Sequence, residues 1–524
     1  MKLFTLNRLL LLLSYLIIGL LVVGFFSVAM GINPKGFMNS DTLYMPTIYR
    51  DLFVESNGLR GWNFNSAPNF FPEMIVYIIV RFFSGDFLTA NVAYGVVQVW
   101  MMMALVNLIF KQLVPEKHIL ISTISNLLFS ICFLMVHFTR VIDIPFYLTT
   151  TAYHTGAFVL QLAAMLLILK LWSSYEKKYA QLLFVISLLG VISDKLFIFY
   201  FSLPALIFAL IYFLKKEKKL AYKFAFLNLA PVVLGVVIFK LIKSSRYIRF
   251  TSPHKSIGLQ SSLDSLVMMK RQFIDYMVAM DMRTTFILLA LFSFALIILI
   301  LVKDRKKPFL NPLLKAYFLF LVCNAGLVTI VPIAAGNYIG YDTLRYNVTV
   351  LYYLLFALPL VLYILIGAKL KGRKVISYLL PIGSLYLAVL AVTNIDKEGL
   401  NGYLNYYPDN VRKMDEVARK EGLSMGVGGY WSSHYISMLS RENIKVFAAF
   451  PNLNPHFHGV NTSLYFRDDA LFDFVILDRF LDQDSYDTWL NSKGELLPYE
   501  GTKVIKYPKF RYDSETWKPY FINK

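Results

Sequence analysis

The sequence predicts an α-helical polytopic membrane protein of about eleven spans, N-terminus inside, closed by an extracytoplasmic α/β domain at the C-terminal end. Three observations predict it. The 524-residue chain is 57% hydrophobic and 16% charged, a balance that excludes an ordinary soluble enzyme. Long apolar runs recur up to residue 394, and the loops between them are alternately basic and nearly uncharged. The rest of the chain returns to a soluble composition with alternating short strand and helix patterns. The net charge of +19 then has a topological cause, basic residues gathered on the inner face, and no nucleic-acid partner is expected. Cys132 and Cys323 both lie in apolar runs, so no disulfide framework is expected.

Residues 7–30, with Lys2 and Arg8 at their start, are too long for a signal-peptide core and lack a small-residue cleavage site. They read as a retained span. Residues 31–73 follow as a polar and aromatic outer loop holding Asp41, Asp51, Trp62, Phe64, Phe70 and Phe71. Connections of this length are functional or disordered, and the aromatic content argues against disorder. Residues 70–87 have a short apolar core flanked by Pro72, Glu73, Arg81 and Asp86. They read as a helix lying in the outer interface, so the first outer region extends over 31–88.

Ten further runs follow, at 89–110, 118–138, 153–172, 179–193, 196–214, 222–242, 284–302, 313–335, 346–367 and 375–394. The loops 111–117, 170–178, 215–219, 303–307 and 369–374 then fall inside, and each is basic, KKEKK and KDRKK most of all. The loops 139–152, 194–195 and 336–345 fall outside with one basic and one acidic residue each. Counting 70–87 as a span would place KKEKK outside. Residues 243–283 also fall outside. Their basic start, KSSRYIRF, with His254 and Lys255 beyond it, suits lipid phosphate or simply the headgroup region.

Residues 1–395 are therefore expected to form the membrane domain and 396–524 a soluble one. In the latter, VRKMDEVARKEG is an amphipathic helix closed by Gly422. LSMGVG, NIKVFAAF and FDFVILDRF are strands, with helical stretches at 431–441 and 484–492. There is no internal repeat and no GxxxxGK phosphate loop, so ATP-driven transport is not expected.

Ionisable residues other than cytoplasmic anchors collect at the outer ends of spans: Asp41, Asp51, Arg140, Asp143, His154, Asp194, Lys195, Asp342 and Arg345. Charge at membrane depth is costly unless paired or wet, which predicts one polar cavity open to the outside. Asp41, in NSDTLYMPTIYRDLF, sits where either a helix N-cap or a general base for a hydroxyl acceptor belongs. Asp51 returns to about the same helix face, as a surface partner of Arg50 or Lys35 or as a substrate contact.

Arg140 and Asp143 frame a proline-containing outer loop, and His154 opens the next span as an interfacial histidine or an anion donor. Asp194 and Lys195 tip a tight hairpin, LLGVISDKLFIF, where Gly, Asn or Pro would be usual. Arg345, in NYIGYDTLRYNV, suits a bidentate phosphate contact or a pair with Asp342. GVGGYWSSHYI places a glycine turn before a helix start, suited to a sugar hydroxyl or phosphate or to structure alone. His456 and His458, in PHFH, have the spacing of two metal ligands but no evident third, and no metal is expected.

Taken together, these features resemble the GT-C superfamily of membrane glycosyltransferases, which use polyprenyl-phosphate sugars. The resemblance covers the layout from end to end: many spans, a long first outer loop with an early acid, interfacial helices and an outer terminal domain. Asp41 in NSDTLY stands in the place of the first-loop acid, and Asp194 in ISDK is similar to a second acidic position. Thr42 and Leu43 follow Asp41 where some members pair two acids, so no divalent metal is implied. The layout also resembles phage-type O-antigen glucosyltransferases.

The resemblance implies inverting transfer from a polyprenyl-phosphate sugar to a cell-envelope acceptor, an O-antigen-like (lipopolysaccharide) glycan or wall polymer, at the bacterial cytoplasmic membrane. It implies Asp41 as base and Lys195, Arg345 and Arg140 on the departing phosphate. It further implies Asp51, Asp194, His154 and Asp342 as substrate contacts, with Tyr44 and Trp62 stacked on sugar faces. The alternative is a membrane transporter or a lipid or polysaccharide flippase with an extracytoplasmic cap. That class predicts inverted repeats and ionisable groups near the midplane, and the sequence has neither.

Overall fold

The computed structural model describes residues 2–245, 247–251, 258–366, 373–450, 453–476, 495–499 and 504–512. Arg246, His254, Lys255, most of the inner loop 369–374 and the helix expected at 484–492 lie outside the described residues. The chain divides into two compact units. The first comprises Met1–Ile32, Asn69–Val237 and His254–Tyr403, the second Asn33–Pro68, Ile238–Pro253 and Leu404–Lys524. The division therefore differs from a single cut near residue 395: Asn33–Pro68 and Ile238–Pro253 fold with the tail.

The first unit is helical, and the chain is a multi-pass membrane protein. Eight described helices are long and apolar enough to cross a membrane: Leu6–Ile32, Phe87–Leu113, His118–Thr139, Thr155–Ser173, Lys218–Ser244, Met282–Lys306, Pro312–Ala334 and Val348–Ile366. A bent pair beginning with Leu379–Thr393 brings the count to nine if taken as one span. The sequence suggested more because it also counted Lys177–Ser193 and Ile198–Leu214. The former has 17 residues, about 25 Å of helix, short of a hydrocarbon core of about 30 Å. Ile75–Phe83 has only 9 residues, about 14 Å, which agrees with a helix lying along the interface.

Helix starts follow their side chains. Asp86 accepts from the Thr89 amide at 2.9 Å, and Asn311 accepts from the Leu314 amide at 2.8 Å with Pro312 in the first turn. Some polar residues inside the bundle are paired, as where Asn126 donates to Ser14 Oγ at 3.0 Å and Asn324 to the Tyr200 carbonyl at 2.7 Å.

The hairpin between Met282–Lys306 and Pro312–Ala334 turns on Asp304, which is 1% exposed. Its carboxylate accepts from the Phe309 amide at 2.9 Å, the Leu310 amide at 2.8 Å and Lys315 Nζ at 2.8 Å. Asp304→Ala strands both amides and should cost about 2–4 kcal/mol. Thermal melting in detergent reads this loss, and Asp304→Asn, which keeps an acceptor oxygen, should lose less.

Among the described residues the second unit carries eight strands: β1 (Trp62–Phe64), β2 (Arg249–Phe250), β3 (Met425–Gly428), β4 (Lys445–Ala448), β5 (Val460–Asn461), β6 (Phe472–Ile476), β7 (Glu495–Leu496) and β8 (Val504–Phe510). They form two sheets, ordered β2-β1-β5 and β4-β3-β6-β8-β7. In the first, β1 runs parallel to β2, with Asn63 opposite Arg249, and antiparallel to β5, with Trp62 opposite Asn461. In the second, β4, β3 and β6 are parallel and β8 and β7 antiparallel.

The helices Asp409–Glu421 and Tyr430–Leu439 alternate with β3 and β4 as the tail's pattern predicts. Gly422 ends the first of these helices at φ +68°, a left-handed conformation that favours glycine. At Gly426 a Cβ would meet the Phe474 ring at 2.3 Å, so the sheet needs glycine there. The core joins Val427, Tyr465, Phe472, Val475 and Ile505, and the nearly unbroken apolar run of β6 is explained by its central place in the sheet.

Candidate active site

Arg140, Asp143, His154, Asp194, Lys195, Asp342 and Arg345 belong to the first unit, and Asp41, Asp51 and Trp62 to the second. Each unit assembles a polar cluster of its own.

In the first unit the hairpin after Lys177–Ser193 explains its unusual aspartate. Asp194 Oδ1 accepts from the Leu196 amide at 2.9 Å, so the side chain itself makes the turn. Asp194 Oδ2 meets His154 Nδ1 at 2.6 Å. His154 adopts φ +67° immediately before the helix Thr155–Ser173, and its ring centroid lies 5.3 Å from that of Tyr346. An Asp–His pair of this kind fixes Nδ1 as the bonded nitrogen of the imidazole.

The acceptor at this helix start is Glu73, 1% exposed, whose carboxyl accepts from the Gly156 amide at 2.8 Å and the Ala152 amide at 3.3 Å. A Cβ at Gly156 would lie 2.5 Å from Glu73 Cγ, which explains glycine there. Ser193 secures the neighbouring segment, exchanging hydrogen bonds of 2.9 Å with the Phe71 amide and carbonyl. Burial pushes the Glu73 carboxyl up to about 8 against the pull of both amides, and the charge of Asp194 adds to the rise.

The three cations expected to meet phosphate lie at the surface of this unit to different degrees. Lys195 and Arg140 are exposed, and Arg140 ends the helix His118–Thr139 at φ +57°. Arg345 is half-buried, 4.0 Å from Asp342 and with its guanidinium 5.5 Å over the Tyr346 ring. Asp143 is engaged by Arg283 at 3.1 Å, and Arg283 also holds Asp281. Asp143 is thereby a structural partner.

In the second unit Asn39 takes the capping role: its Oδ1 accepts from the amides of Asp41 at 2.9 Å and Thr42 at 3.0 Å. Asp41 is thus not the cap. Its half-exposed carboxylate accepts from the Tyr430 hydroxyl at 2.9 Å. Tyr430 begins the helix after the glycine turn, and its carbonyl accepts from Ser40 Oγ at 2.5 Å. Around its ring stand His458, His456 and His434, at centroid distances of 4.9, 5.6 and 5.7 Å. Burial holds all three imidazoles low, His434 at about 3 and His456 at about 4, so they are neutral at physiological pH.

Asp51 is not a surface partner of Arg50. It is 3% exposed, and burial pushes its carboxyl up to about 7 although Arg50 and Lys445 pull the other way. Trp62 and Tyr44 are not sugar platforms either. Both are fully buried, packed ring to ring at 6.4 Å with Phe64 beyond Trp62.

These opposed shifts give a pH signature. Between about pH 4 and 7 folded Asp51 binds a proton that the unfolded chain releases, so its contribution to stability falls as pH rises. Over about pH 3 to 6.5 folded His434 lacks a proton that the unfolded chain binds, so its contribution rises with pH. Asp51→Asn removes the first effect only. Its stability should therefore drop more steeply on acidification than the wild type's, by up to about 1.4 kcal/mol per pH unit. Melting temperatures at pH 4.5, 5.5 and 6.5 measure the difference.

Sequence reasoning missed the roles of Glu73, Tyr430 and Arg283. Glu73 left a signal as an acid between Pro72 and an apolar helix, and Tyr430 lay in the marked stretch GVGGYWSSHYI.

No protein-family model matches the sequence, and no curated protein matches it. Among solved structures, that of ArnT from Cupriavidus metallidurans bound to undecaprenyl phosphate is similar, with a TM-score of 0.50 at 9% identity. The match covers 92% of this chain and 97% of that one. At that coverage the chain shares the fold of the ArnT structure.

Proposed function

We propose that the protein transfers a sugar, with inversion, from a polyprenyl-phosphate donor to a cell-envelope glycan on the outer face of the bacterial cytoplasmic membrane. The observation that supports this best is the fold shared over 92% of the chain with a structure holding undecaprenyl phosphate. Asp41 is the base. One of its oxygens is held by Tyr430, and its carboxylate takes the proton of the acceptor hydroxyl as that oxygen bonds to the anomeric carbon. The bond from the anomeric carbon to the phosphate oxygen breaks, and the electron pair leaves with the lipid phosphate. Lys195, Arg345 and Arg140 offset the charge that builds there. His154 with Asp194, Asp342 and Asp51 contact sugar hydroxyls. An O-antigen-like glycan and a wall polymer both supply such an acceptor.

The test supplies purified protein in nanodiscs with radiolabelled undecaprenyl-phosphate glucose, galactose, mannose and N-acetylglucosamine in turn, together with envelope glycan extract. One donor is expected to be consumed, with its label in the glycan and the anomeric configuration inverted. Consumption of none of them, or transfer with retention, overturns the reading.

A further inference from the structure

The second unit contains a recess partly open to solvent, with a cavity volume of about 40 Å³, so a ligand there is only partly enclosed. Its polar wall includes Arg50, Asp51, Glu55, His434 and Lys445, and Phe447 contributes an aromatic ring. Two of these groups are buried with their bonding capacity unspent. His434 is 5% exposed, and neither ring nitrogen completes a hydrogen bond, although the Ser40 backbone is near. The Asp51 carboxyl lies in the field of Arg50, Glu55 and Lys445 and makes no hydrogen bond among the described residues. Buried polar groups of this kind normally have partners.

The chemistry of the wall selects the ligand. Glu55 faces Lys445 at 2.8 Å and Arg50 at 3.4 Å, and Arg50 also donates to the Ser437 carbonyl at 2.8 Å. Lys445 and one guanidinium nitrogen of Arg50 are thus already directed at protein acceptors, while Arg50 Nε keeps no hydrogen-bond partner among the described residues, and the two carboxyls disfavour an anion such as phosphate. A cation would meet Arg50 and Lys445. A neutral polyol fits, because each hydroxyl both donates and accepts. It can serve an imidazole nitrogen and a carboxyl together while its C–H face lies on Phe447.

We infer that this recess binds one saccharide unit of the acceptor glycan, which rests on the transfer reading for the identity of the glycan though not for the binding. The test uses the full-length protein in nanodiscs, titrated with methyl glycosides of glucose, galactose, mannose, rhamnose and N-acetylglucosamine, and with inorganic phosphate as a separate arm. Calorimetry and saturation-transfer NMR follow binding. One glycoside should bind with a Kd of about 1 mM. His434→Ala and Asp51→Asn should each weaken it at least tenfold, and Leu464→Trp, which fills the recess, should abolish it. Melting curves identify which variants remain folded.

The inference is overturned if no glycoside binds up to about 50 mM, if phosphate binds in their place, or if every folded variant binds as the wild type does. Glycoside binding without donor consumption keeps the recess and removes the transfer reading. Donor consumption without glycoside binding does the reverse.

Discussion

Asp41→Asn should lower sugar transfer by about 10²–10⁴-fold, the usual contribution of a positioned general base. The carboxamide has the carboxylate's shape and can still accept from the Tyr430 hydroxyl, now at 2.9 Å. It cannot take a proton from the acceptor. The loss should therefore fall on kcat, with donor affinity unchanged, as expected for an interaction made only in the transition state. The melting temperature should stay close to the wild type's, since Asn39 and not Asp41 caps the turn. Tyr430→Phe removes the bond that aims the carboxylate and should cost about tenfold in kcat/KM. Single-turnover assays with a donor found active in the panel measure both. A variant Asp41→Asn with wild-type kcat removes the assignment of the base.

Glu73→Ala should cost about 3–5 kcal/mol of stability. It leaves the Gly156 and Ala152 amides without their acceptor and opens a void in a fully packed place. Glu73→Gln should cost less, because its carbonyl oxygen serves one amide while its NH2 group confronts the other. The pH dependence separates charge from packing. Folded Glu73 keeps its proton up to about pH 8, against 4.5 for the ordinary carboxyl. The folded state thus binds more protons than the unfolded one between those values, and stability falls as pH rises through them. Detergent melting curves at pH 5, 7 and 9 should show a decline in the wild type that Glu73→Gln lacks. A pH-independent difference between the two would assign Glu73 a purely steric role.

Local patterns were the legible part of this chain. The long apolar runs read correctly as helices because a membrane span declares itself within some twenty contiguous residues. The same holds for the short helix Ile75–Phe83, the left-handed Gly422 and the apolar strand β6. What depends on distant partners was not legible. Asp51 looked like a surface acid because Arg50 is adjacent, yet residues from His434 to Asn461 enclose it. Trp62 looked like a binding aromatic in a polar loop, yet β2 and β5 flank its short strand. Glu73 looked like a flank of a helix, and only the turn from Ala152 to Gly156 shows that it is an anchor. Asp194 was singled out correctly as odd for a turn, while its partner His154 lies 40 positions away in the chain.

The small sheet β2-β1-β5 has a consequence for biogenesis. Its middle strand leaves the ribosome early, but Val460, which pairs with Asn63, is made almost 400 residues later, roughly 20–80 s at ~5–20 residues per second. Throughout that interval the nascent loop presents bare strand edges, the geometry that invites wrong pairing. Cells producing this protein should therefore depend on a chaperone that holds this loop, and chains truncated before Val460 should be degraded rather than accumulate.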